Sequence, residues 1–332
     1  MKKYIVITTI NEPSEAILRF REWPDWHVVV VGDRKSPVGW HCDGVTYLDI
    51  DEQNRRFGAL AKLIPENSYK RKILGYVHAI EAGANVILET DDDNIPYPHA
   101  RDAVEADLVA PNDGYSLVST TTGWLNAYRE FGVPRCWPRG YPLEHISRNE
   151  EPVYSVTGQG PRWGVLQYLA NDDPDVDAIF RLTRAEGAIR FTDKHGIRLA
   201  RGTCGPFNSQ ATVWVRDTFP LLFLPLGVTD RITDILRGYI AVPCLWQVGQ
   251  TLAYASPIVH QIRNEHNLLR DFEQEIDLYR YASKWCRQLQ GAVYGTNSLT
   301  DAFETSLETL IEGNVITKDN LEAYRLFLQC IR

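Results

Sequence analysis

Residues 85–94 read NVILETDDDN. Its apolar residues Val86, Ile87 and Leu88 form a short run that is typical of a buried parallel β-strand. Three consecutive aspartates follow at the end of this run. In open α/β sheets, ligands bind beyond the carboxyl ends of the strands. The sequence therefore predicts a ligand site at the end of this strand.

The three aspartates are Asp91, Asp92 and Asp93. Adjacent carboxylates repel one another unless a cation shares their site. Because side chains alternate along an extended chain, Asp91 and Asp93 can face one side while Asp92 faces the other. This arrangement suits a divalent cation such as Mg²⁺ or Mn²⁺, which binds carboxylate, water and phosphate oxygens. The alternative is a solvated acidic turn that closes the strand.

The composition is that of an ordinary soluble globular protein, with 44% hydrophobic and 23% charged residues among 332. The net charge of -8 argues against a broad basic face for nucleic acid or anionic membranes. No run approaches the roughly 18 apolar residues of a membrane span, and the first residues do not resemble a signal peptide. Six scattered cysteines without CxxC spacing indicate free buried thiols. We therefore expect a cytoplasmic protein.

Strands and helices alternate through the first 110 residues. Before the aspartate strand, the predicted strands span residues 4–9, 26–32 and 44–50, and the predicted helices span residues 14–21 and 68–83. Such alternation favours an α/β fold with a doubly wound, mostly parallel, Rossmann-like sheet. We expect residues 1–110 to form a nucleotide-binding half.

The pattern changes after residue 110. Residues 111–161 are dense in proline, glycine and aromatic residues, which is too apolar for a disordered linker. They are predicted to form an ordered, irregular insertion over a cleft, within an acceptor half that spans residues 111–268. Residues 269–332 are predicted to be a C-terminal helical extension with two segments, 270–290 and 299–331. This extension is a candidate surface for a homo-oligomer or a peripheral assembly.

Polar residues follow the first two predicted strands and are candidates for binding a base and a ribose. They are Thr8, Thr9, Asn11 and Glu12 after the first strand, and Asp33 and Arg34 after the second. The ends of neighbouring parallel strands lie side by side at the switch-point crevice of such a sheet. The alternative is the ordinary polarity of loops that cap strands.

Two basic residues, Arg71 and Lys72, lie on the predicted helix before the aspartate strand. Cations near a metal–diphosphate site would neutralise the remaining phosphate charge, and arginine can do so with two parallel hydrogen bonds. The alternative is that both residues occupy a solvated helix face.

His260 ends a predicted strand at residues 251–260. Neutral imidazole is a good ligand for manganese, so His260 could complete a site that already holds two carboxylates. His266, six residues later, is the competing candidate. A structural histidine without a ligand is the alternative for both.

Seven segments form an ordered set of motifs. They are ITTINEP at residues 7–13, ILETDDDN at 87–94, WPRGYPL at 137–143, DPDVDAIFRLTR at 173–184, PFNSQATVW at 206–214, DILRGY at 234–239 and VH at 259–260. This set resembles the STELLO (DUF288) family of GT-A type glycosyltransferases over residues 4–281. A DXD-type triplet alone is a weak motif, whereas the ordered set is much more specific.

The resemblance implies a GT-A fold and a nucleotide-sugar donor, for which UDP is the expected nucleotide. Asp91 and Asp93 would hold Mn²⁺ or Mg²⁺, with His260 as the late metal ligand of GT-A enzymes. Asp92 would approach the ribose or the sugar of the donor. The metal would then act as a Lewis acid that stabilises the departing nucleoside diphosphate.

On the acceptor side, the resemblance makes Asp234 the candidate base that takes the proton of the acceptor hydroxyl. Asp230, four residues earlier, would share its helix face and is the competing base. Arg237 would hold the diphosphate or orient Asp234. The alternative for the three residues is an N-cap with an i,i+3 salt bridge. Asp173, Asp175 and Asp177 are further candidates for contacting sugar hydroxyls, or they cap a loop around Pro174.

The expected function is therefore a metal-dependent transfer of a sugar from a nucleotide-diphosphate donor to a carbohydrate or other hydroxyl acceptor. A sugar nucleotidyltransferase is one alternative, although it would usually carry a glycine-rich phosphate loop that the first strand lacks. A nucleotide-sugar mutase is a second alternative. A scaffold that binds nucleotide without turnover is the alternative outside the enzymes.

Overall fold

The computed structural model describes residues 1–148, 151–155, 160–184, 187–264 and 267–331. The strands in these residues form one sheet. They are β1 (Lys3–Thr8), β2 (Trp26–Val31), β3 (Val45–Leu48), β4 (Val86–Asp91), β5 (Asn94–Pro96), β6 (Ser116–Ser119), β7 (Val153–Ser155), β8 (Arg162–Asn171), β9 (Ile197–Leu199), β10 (Ala211–Val215) and β11 (Gln250–Gln261).

Ten α-helices accompany the sheet in the described part of the chain. They are α1 (Glu15–Arg21), α2 (Ile50–Leu63), α3 (Lys72–Glu81), α4 (Ala100–Val109), α5 (Ala127–Glu130), α6 (Ala178–Thr183), α7 (Asp230–Gln247), α8 (Leu268–Ala292), α9 (Leu299–Glu312) and α10 (Asp319–Cys330).

The strand order is β3-β2-β1-β4-β10-β8-β11-β9-β6-β7, with β5 pairing with β11. The first four strands of this order are all parallel to one another. The order 3-2-1-4 is that of a Rossmann-type nucleotide-binding half. Beyond it, β10 is antiparallel to both β4 and β8, while β11 is parallel to β8. The predicted α/β class is confirmed, and antiparallel pairs are concentrated in the second half.

The alternation of side chains along β1 explains why helices cover both faces of the sheet. Tyr4 and Val6 belong to one hydrophobic cluster, which also contains residues of α2, α3 and α7. Ile5 and Ile7 point the other way and pack with residues of α1 and α4. A parallel strand that is buried on both faces needs such a continuous apolar run.

The predicted insertion at residues 111–161 is ordered and irregular where the structure describes it. Its large aromatic residues Trp124, Tyr128, Trp137 and Tyr141 are buried in the main core. They therefore stabilise the fold and do not form an open aromatic surface for an acceptor.

The C-terminal helices belong to the same core. Phe303 of α9 and Tyr324 and Phe327 of α10 surround Phe223 with ring centroids 5.5 to 6.3 Å away. The predicted boundary at 268/269 falls in the first turn of α8, which packs against α7. Among the described residues, no helix has the length and apolar character needed to cross a membrane.

Candidate active site

A cleft of about 740 Å³ lies at the carboxyl ends of β1, β2 and β4. This volume lies in the range of small-molecule sites. Eleven of the predicted site residues line it: Thr8, Thr9, Asn11, Asp33, Arg71, Asp91, Asp92, Asp93, Asp175, Asp230 and Asp234. Glu12, Arg34, Lys72, Arg237 and His260 are not among the residues that line it. The switch-point position predicted from the strand order is therefore where the cleft forms.

Asp91 is neutralised from inside the protein. The Lys72 ammonium lies 2.9 Å from Asp91 Oδ1 and donates to the Thr90 carbonyl at 2.7 Å. The Tyr69 hydroxyl donates to the same Asp91 oxygen at 2.8 Å. Because Lys72 is fully buried in these contacts, it does not reach the cleft. This corrects the prediction that Lys72 contacts phosphate: its charge balances Asp91.

Asp92 connects the triplet to the end of β1. Its Oδ2 accepts hydrogen bonds from the Thr9 hydroxyl and from Asn11 Nδ2, the latter at 3.0 Å. Asp92 therefore faces the polar loop after β1. Glu12, in the same loop, is exposed to solvent and lies outside the cleft, which corrects its predicted binding role.

Asp93 makes no ion pair within the described chain. Its carboxylate accepts from Gln261 Nε2 at 2.9 Å and from Asn94 Nδ2 at 3.3 Å. Burial, and then the negative charges of Asp91 and Asp92, raise the pKa of Asp93 to about 7. The buried Asn94 Oδ1 beside it has no hydrogen-bond partner. A cation would relieve both unfavourable features.

His260 lies on the other side of β11 from the acidic triplet. Its ring stacks on Tyr97 with centroids 5.3 Å apart, and its Nδ1 lies 3.5 Å from Asp172 Oδ2. Because side chains alternate along a strand, the neighbouring Gln261 is the residue that faces Asp93. This corrects the prediction that His260 joins Asp91 and Asp93 at one metal.

His266 lies outside the described residues. Within the described ranges, no group of three or more His, Cys, Asp and Glu side chains is arranged to hold a metal ion. A cation in this cleft would therefore complete its coordination with oxygens of a bound ligand, as Mg²⁺ commonly does with phosphates.

Asp33 organises the rim after β2. Its carboxylate accepts from the backbone amides of Asn67 and Ser68 at 2.8 and 3.1 Å, and so orders the segment before α3. Arg34 points to solvent, where it pairs with Glu66 at 2.7 Å. The predicted ligand contact of Arg34 is therefore corrected to a surface ion pair, which contributes little to stability.

Arg71 lines the cleft, but most of its donors are already used. Nε donates to Gln53 at 2.8 Å, and Nη1 donates to the Ala61 and Ile64 carbonyls at 2.9 and 3.0 Å. Nη2 is buried without a hydrogen-bond partner. This enclosed nitrogen belongs to a guanidinium on which the charge of Asp33 acts, so Arg71 is part of the Asp33 rim and not of the acidic triplet.

The opposite wall of the cleft holds a buried triad that the sequence did not reveal as a unit. Arg139 donates from Nη1 and Nη2 to the two oxygens of Asp234, both at 3.0 Å. The same guanidinium binds Asp175 at 2.7 to 3.1 Å. Although burial opposes ionisation, Arg139 and Arg231 hold the pKa of Asp175 below its usual range. The only signal for Arg139 was its place in the WPRGYPL segment.

Asp173 and Asp177 lie outside the cleft lining, unlike Asp175. Asp173 pairs with Arg181, which lies on α6. Asp177 is the N-cap of α6, where it accepts from Phe180 N, and it also accepts from the Trp137 indole. The capping alternative therefore describes Asp177.

Asp230 and Asp234 lie one turn apart on α7 and both line the cleft, so they share a helix face as predicted. Asp230 is more exposed than Asp234. Its carboxylate is bound by Lys70 Nζ at 2.6 Å and by the Ser68 hydroxyl at 2.8 Å. Asp230 therefore fixes the segment before α3 to the start of α7.

Arg237 is buried away from the cleft. Its guanidinium pairs with Glu89 at 2.6 and 3.0 Å, stacks 4.8 Å from the Trp214 ring and donates to Ser209. Its hydrogen bonds within the described residues go to Tyr76, Glu89 and Ser209, and none goes to Asp234. The prediction that Arg237 holds the diphosphate or orients Asp234 is therefore corrected to a structural ion pair between α7 and β4.

Apart from Arg71, sequence reasoning missed the cations that line the cleft. They are Lys35, Arg139, Arg231, Arg263 and Arg270. Arg263 is mostly buried and contacts Asp271 at 3.3 Å, and burial lowers its pKa to about 10. Its Nε has no hydrogen-bond partner. Arg263 and Arg270 flank the start of α8, where the sequence suggested only a helical extension.

Comparison with known proteins identifies relatives for most of the chain. It is 29% identical over 299 residues to "Probable glycosyltransferase STELLO2" and 30% identical over 281 residues to "Probable glycosyltransferase STELLO1", both of Arabidopsis thaliana. The alignments cover 84% and 78% of this chain. This chain is a STELLO-like protein. The predicted resemblance is thereby confirmed.

The STELLO-like chain spans little more than a third of these relatives, because the alignments cover 38% and 35% of their lengths. No family model matches the chain. Among solved structures, the crystal structure of a mycobacterial protein aligns with a TM-score of 0.40 at 10% identity, over 87% of this chain and 74% of that one.

Proposed function

We propose that this STELLO-like chain is a metal-dependent glycosyltransferase that moves a sugar from a nucleotide-diphosphate donor, UDP-linked, to a hydroxyl acceptor. The observation that supports this most is the cleft at the switch point, which combines an acidic triplet with a set of cationic side chains. The names of the two Arabidopsis relatives support sugar transfer as the reaction class.

The nucleoside end of the donor would lie along the ends of β1 and β2. There Thr9 and Asn11 are held by Asp92, and Asp33 orders the opposite rim. This follows the general placement of nucleotides in open α/β sheets.

The diphosphate would lie between the triplet and the start of α8. Arg263 is the best placed cation, because it lines the cleft and its charge acts on Asp93. Arg270 and Lys35 are exposed at the mouth of the cleft. Arginine is suited to this role because its planar fork binds phosphate oxygens with two parallel bonds.

Asp93, together with Asp91, would hold Mn²⁺ or Mg²⁺. The residues fit a hard cation, since Asp93 is a partly buried carboxylate without an ion pair and Asn94 Oδ1 lacks a partner. When bound, the metal supplies Lewis-acid stabilisation of the departing diphosphate. His260 is left out of this set because it faces Asp172.

Asp234 would accept the proton of the attacking hydroxyl in an inverting reaction, whereas a retaining reaction would not need this base. Arg139 binds both oxygens of Asp234 and keeps the carboxylate in one orientation. We expect Asp234→Asn to retain donor binding and to lose sugar transfer. Full transfer by this variant would remove Asp234 from the base role.

A scaffold that binds nucleotide without turnover is the second candidate. The observation that favours it is the double pairing of Asp234 with Arg139, which already occupies both oxygens of the carboxylate. Both candidates predict nucleotide binding, but only the glycosyltransferase predicts sugar transfer.

The experiment that tests donor binding is a thermal-shift panel of UDP, GDP, CDP and dTDP, each with and without Mn²⁺. A ligand that binds only the native state stabilises it by about 2.7 kcal/mol at a hundredfold excess over its Kd. We expect one nucleotide, UDP, to raise the melting temperature only with Mn²⁺. Asp93→Asn should remove the Mn²⁺ dependence of this shift. Asp102→Asn is its matched control, since Asp102 is an exposed aspartate paired with its neighbour Arg101.

No shift with any nucleotide in a folded protein would contradict both candidates. A shift that does not depend on Mn²⁺ would contradict the metal assignment alone. A Mn²⁺-dependent shift without release of the nucleoside diphosphate from any sugar nucleotide would favour the scaffold.

A further inference from the structure

Two buried thiols from distant parts of the chain meet beneath α8. Cys204 Sγ and Cys286 Sγ lie 3.0 Å apart, although 82 residues separate them in sequence. Each residue is 1% exposed. From the sequence, the six cysteines were expected to be free thiols, and in this structure they are reduced. The proximity of this pair is a property of the tertiary structure.

The backbone of both residues is held in place. Cys204 N donates to the Gly123 carbonyl at 2.7 Å, and the Cys204 carbonyl accepts from Leu125 N at 2.8 Å. Cys286 lies in the interior of the 25-residue helix α8. Because both anchors are fixed, the short distance does not depend on a loose segment. A disulfide has an S–S distance of about 2.05 Å, so bond formation needs only a movement of about 1 Å at the sulfur atoms.

The two sulfur atoms are in different environments. Cys204 Sγ accepts a hydrogen bond from the Cys286 thiol and a second from Gln290 Nε2, both at 3.0 Å. The contact with Cys204, and then burial, raise the pKa of the Cys286 thiol well above its usual value. Because Cys204 Sγ accepts both hydrogen bonds and Cys286 donates one of them, we assign the attack to Cys204 and the second step to Cys286.

We propose that Cys204 and Cys286 form a redox modification site, in which a hydroperoxide converts the two thiols into a disulfide that joins the acceptor half to α8. The Cys204 thiolate attacks one peroxide oxygen, the O–O bond breaks, and a sulfenic acid and one water form once a proton is added. Cys286 then attacks the sulfenic sulfur, and its proton leaves with the hydroxide as a second water. Two thiols lose two electrons, and the peroxide is reduced to water.

The cross-link would act on the same helix that lines the cleft. The first turns of α8 carry Arg270, Asp271 and Gln274 to the cleft wall. Joining residues 204 and 286 closes a long loop in the unfolded chain, and the loss of unfolded-state freedom increases with loop length. The disulfide is therefore expected to stabilise the folded state and to fix α8 against the acceptor half.

The test uses the full chain without any nucleotide, so its outcome does not depend on the proposed function. The folded protein is treated with hydrogen peroxide, unfolded, alkylated and analysed by peptide mass spectrometry. We expect reactive thiols to fall from six to four. A peptide pair that contains residues 204 and 286 should appear, lighter by two hydrogen atoms than the reduced pair. The melting temperature should rise by several degrees and return to its starting value after reduction.

Cys204→Ser and Cys286→Ser should each abolish the cross-linked pair and the rise in melting temperature. Cys244→Ser is the matched control, since the Cys244 sulfur is also buried but lies 3.9 Å from a serine hydroxyl, Ser306. It should keep both effects. Cys204→Ala serves as a second variant if the serine variant does not fold.

The proposal would be overturned if the folded protein kept six reactive thiols under a peroxide treatment that oxidises the thiols of the unfolded chain. A disulfide that joins Cys204 or Cys286 to a different cysteine, in the wild type or in a serine variant, would also overturn the proposal.

Discussion

At the scale of single residues, Asp93 has the feature that most needs a ligand. Its pKa is raised to about 7 by burial and by the neighbouring aspartates. Natural proteins keep such unfavourable groups mainly where they serve a function. A proton and a cation therefore compete for the same oxygens.

The first prediction concerns the pH dependence of this competition. Since Asp93 is protonated below its folded-state pKa, Mn²⁺-dependent UDP affinity should fall about tenfold per pH unit below about pH 7 and be constant above it. Asp93→Asn should remove the Mn²⁺ dependence at every pH. Calorimetric titration at pH 5.5, 6.5 and 8 measures both effects, with Asp102→Asn as the control. A pH-independent affinity in the wild type would contradict the assignment.

The raised pKa of Asp93 also predicts a pH-dependent stability. A group whose carboxyl pKa is higher in the folded than in the unfolded state destabilises the fold increasingly as pH rises from about 4 to about 7, and then by a constant amount. Asp93→Asn lacks this penalty. Its melting temperature should exceed that of the wild type by a margin that grows over this pH window and then levels off. A margin that shrinks with rising pH would contradict the direction of the shift.

Substitutions of His260 and Gln261 test which of the two side chains on β11 points towards Asp93. If Gln261 is the residue that faces Asp93, His260→Ala should leave Mn²⁺-dependent UDP affinity within about twofold. Gln261→Ala should change it, because the hydrogen bond to Asp93 is lost. The measurement is the same titration at pH 8. Loss of metal dependence in His260→Ala, with Gln261→Ala unaffected, would restore the original assignment of His260.

At the scale of elements, the ion pair between Glu89 and Arg237 joins β4 to α7. Both side chains are fully buried, and Tyr76, Trp214 and Ser209 complete their contacts. The element that presents the triplet is thereby tied to the element that presents Asp234. Removal of one partner of a buried ion pair leaves an uncompensated charge in the interior.

Arg237→Leu should therefore lower the free energy of unfolding by about 3–5 kcal/mol, as measured by urea denaturation. The fraction that remains folded should bind UDP and Mn²⁺ with wild-type affinity, because the guanidinium does not line the cleft. Arg34→Leu is the control, since Arg34 makes only an exposed ion pair with Glu66 and should change stability little. Wild-type stability combined with weakened UDP binding would instead support a phosphate role for Arg237.

At the scale of the whole molecule, the C-terminal helices are part of one folding unit with the sheet. Glu275 of α8 is fully buried, pairs with Arg231 and accepts from the Ala178 amide. The aromatic residues of α9 and α10 enclose Phe223. Without these helices, the apolar surface of α7 and the buried cleft arginines would be exposed.

A chain of residues 1–267 should therefore lose cooperative thermal unfolding and bind a dye that detects exposed apolar surface. Circular dichroism and dye fluorescence measure this against the full chain. A cooperative transition near that of the full chain would contradict the prediction and support a domain boundary at 268/269.

Several features of this protein followed from the sequence alone. The alternation of strands and helices predicted the α/β class, and the position of Asp91, Asp92 and Asp93 after a buried strand predicted the place of the cleft. The four-residue spacing of Asp230 and Asp234 predicted their shared helix face. These features depend on neighbours in the chain, because backbone periodicity sets which side chains share a face.

Which charged side chains pair with one another could be seen only in the folded structure. Arg237 finds Glu89 across 148 residues, and Arg139 finds Asp234 across 95. Lys72 is paired with Asp91, while Arg263 pairs with Asp271 and lines the cleft. The face of β11 on which His260 lies depends on the register of that strand, because a shift of one residue would move His260 to the other face. Ion pairing and register depend on residues that are distant in sequence and close in space, so local patterns determined the position of the site and long-range packing determined its members.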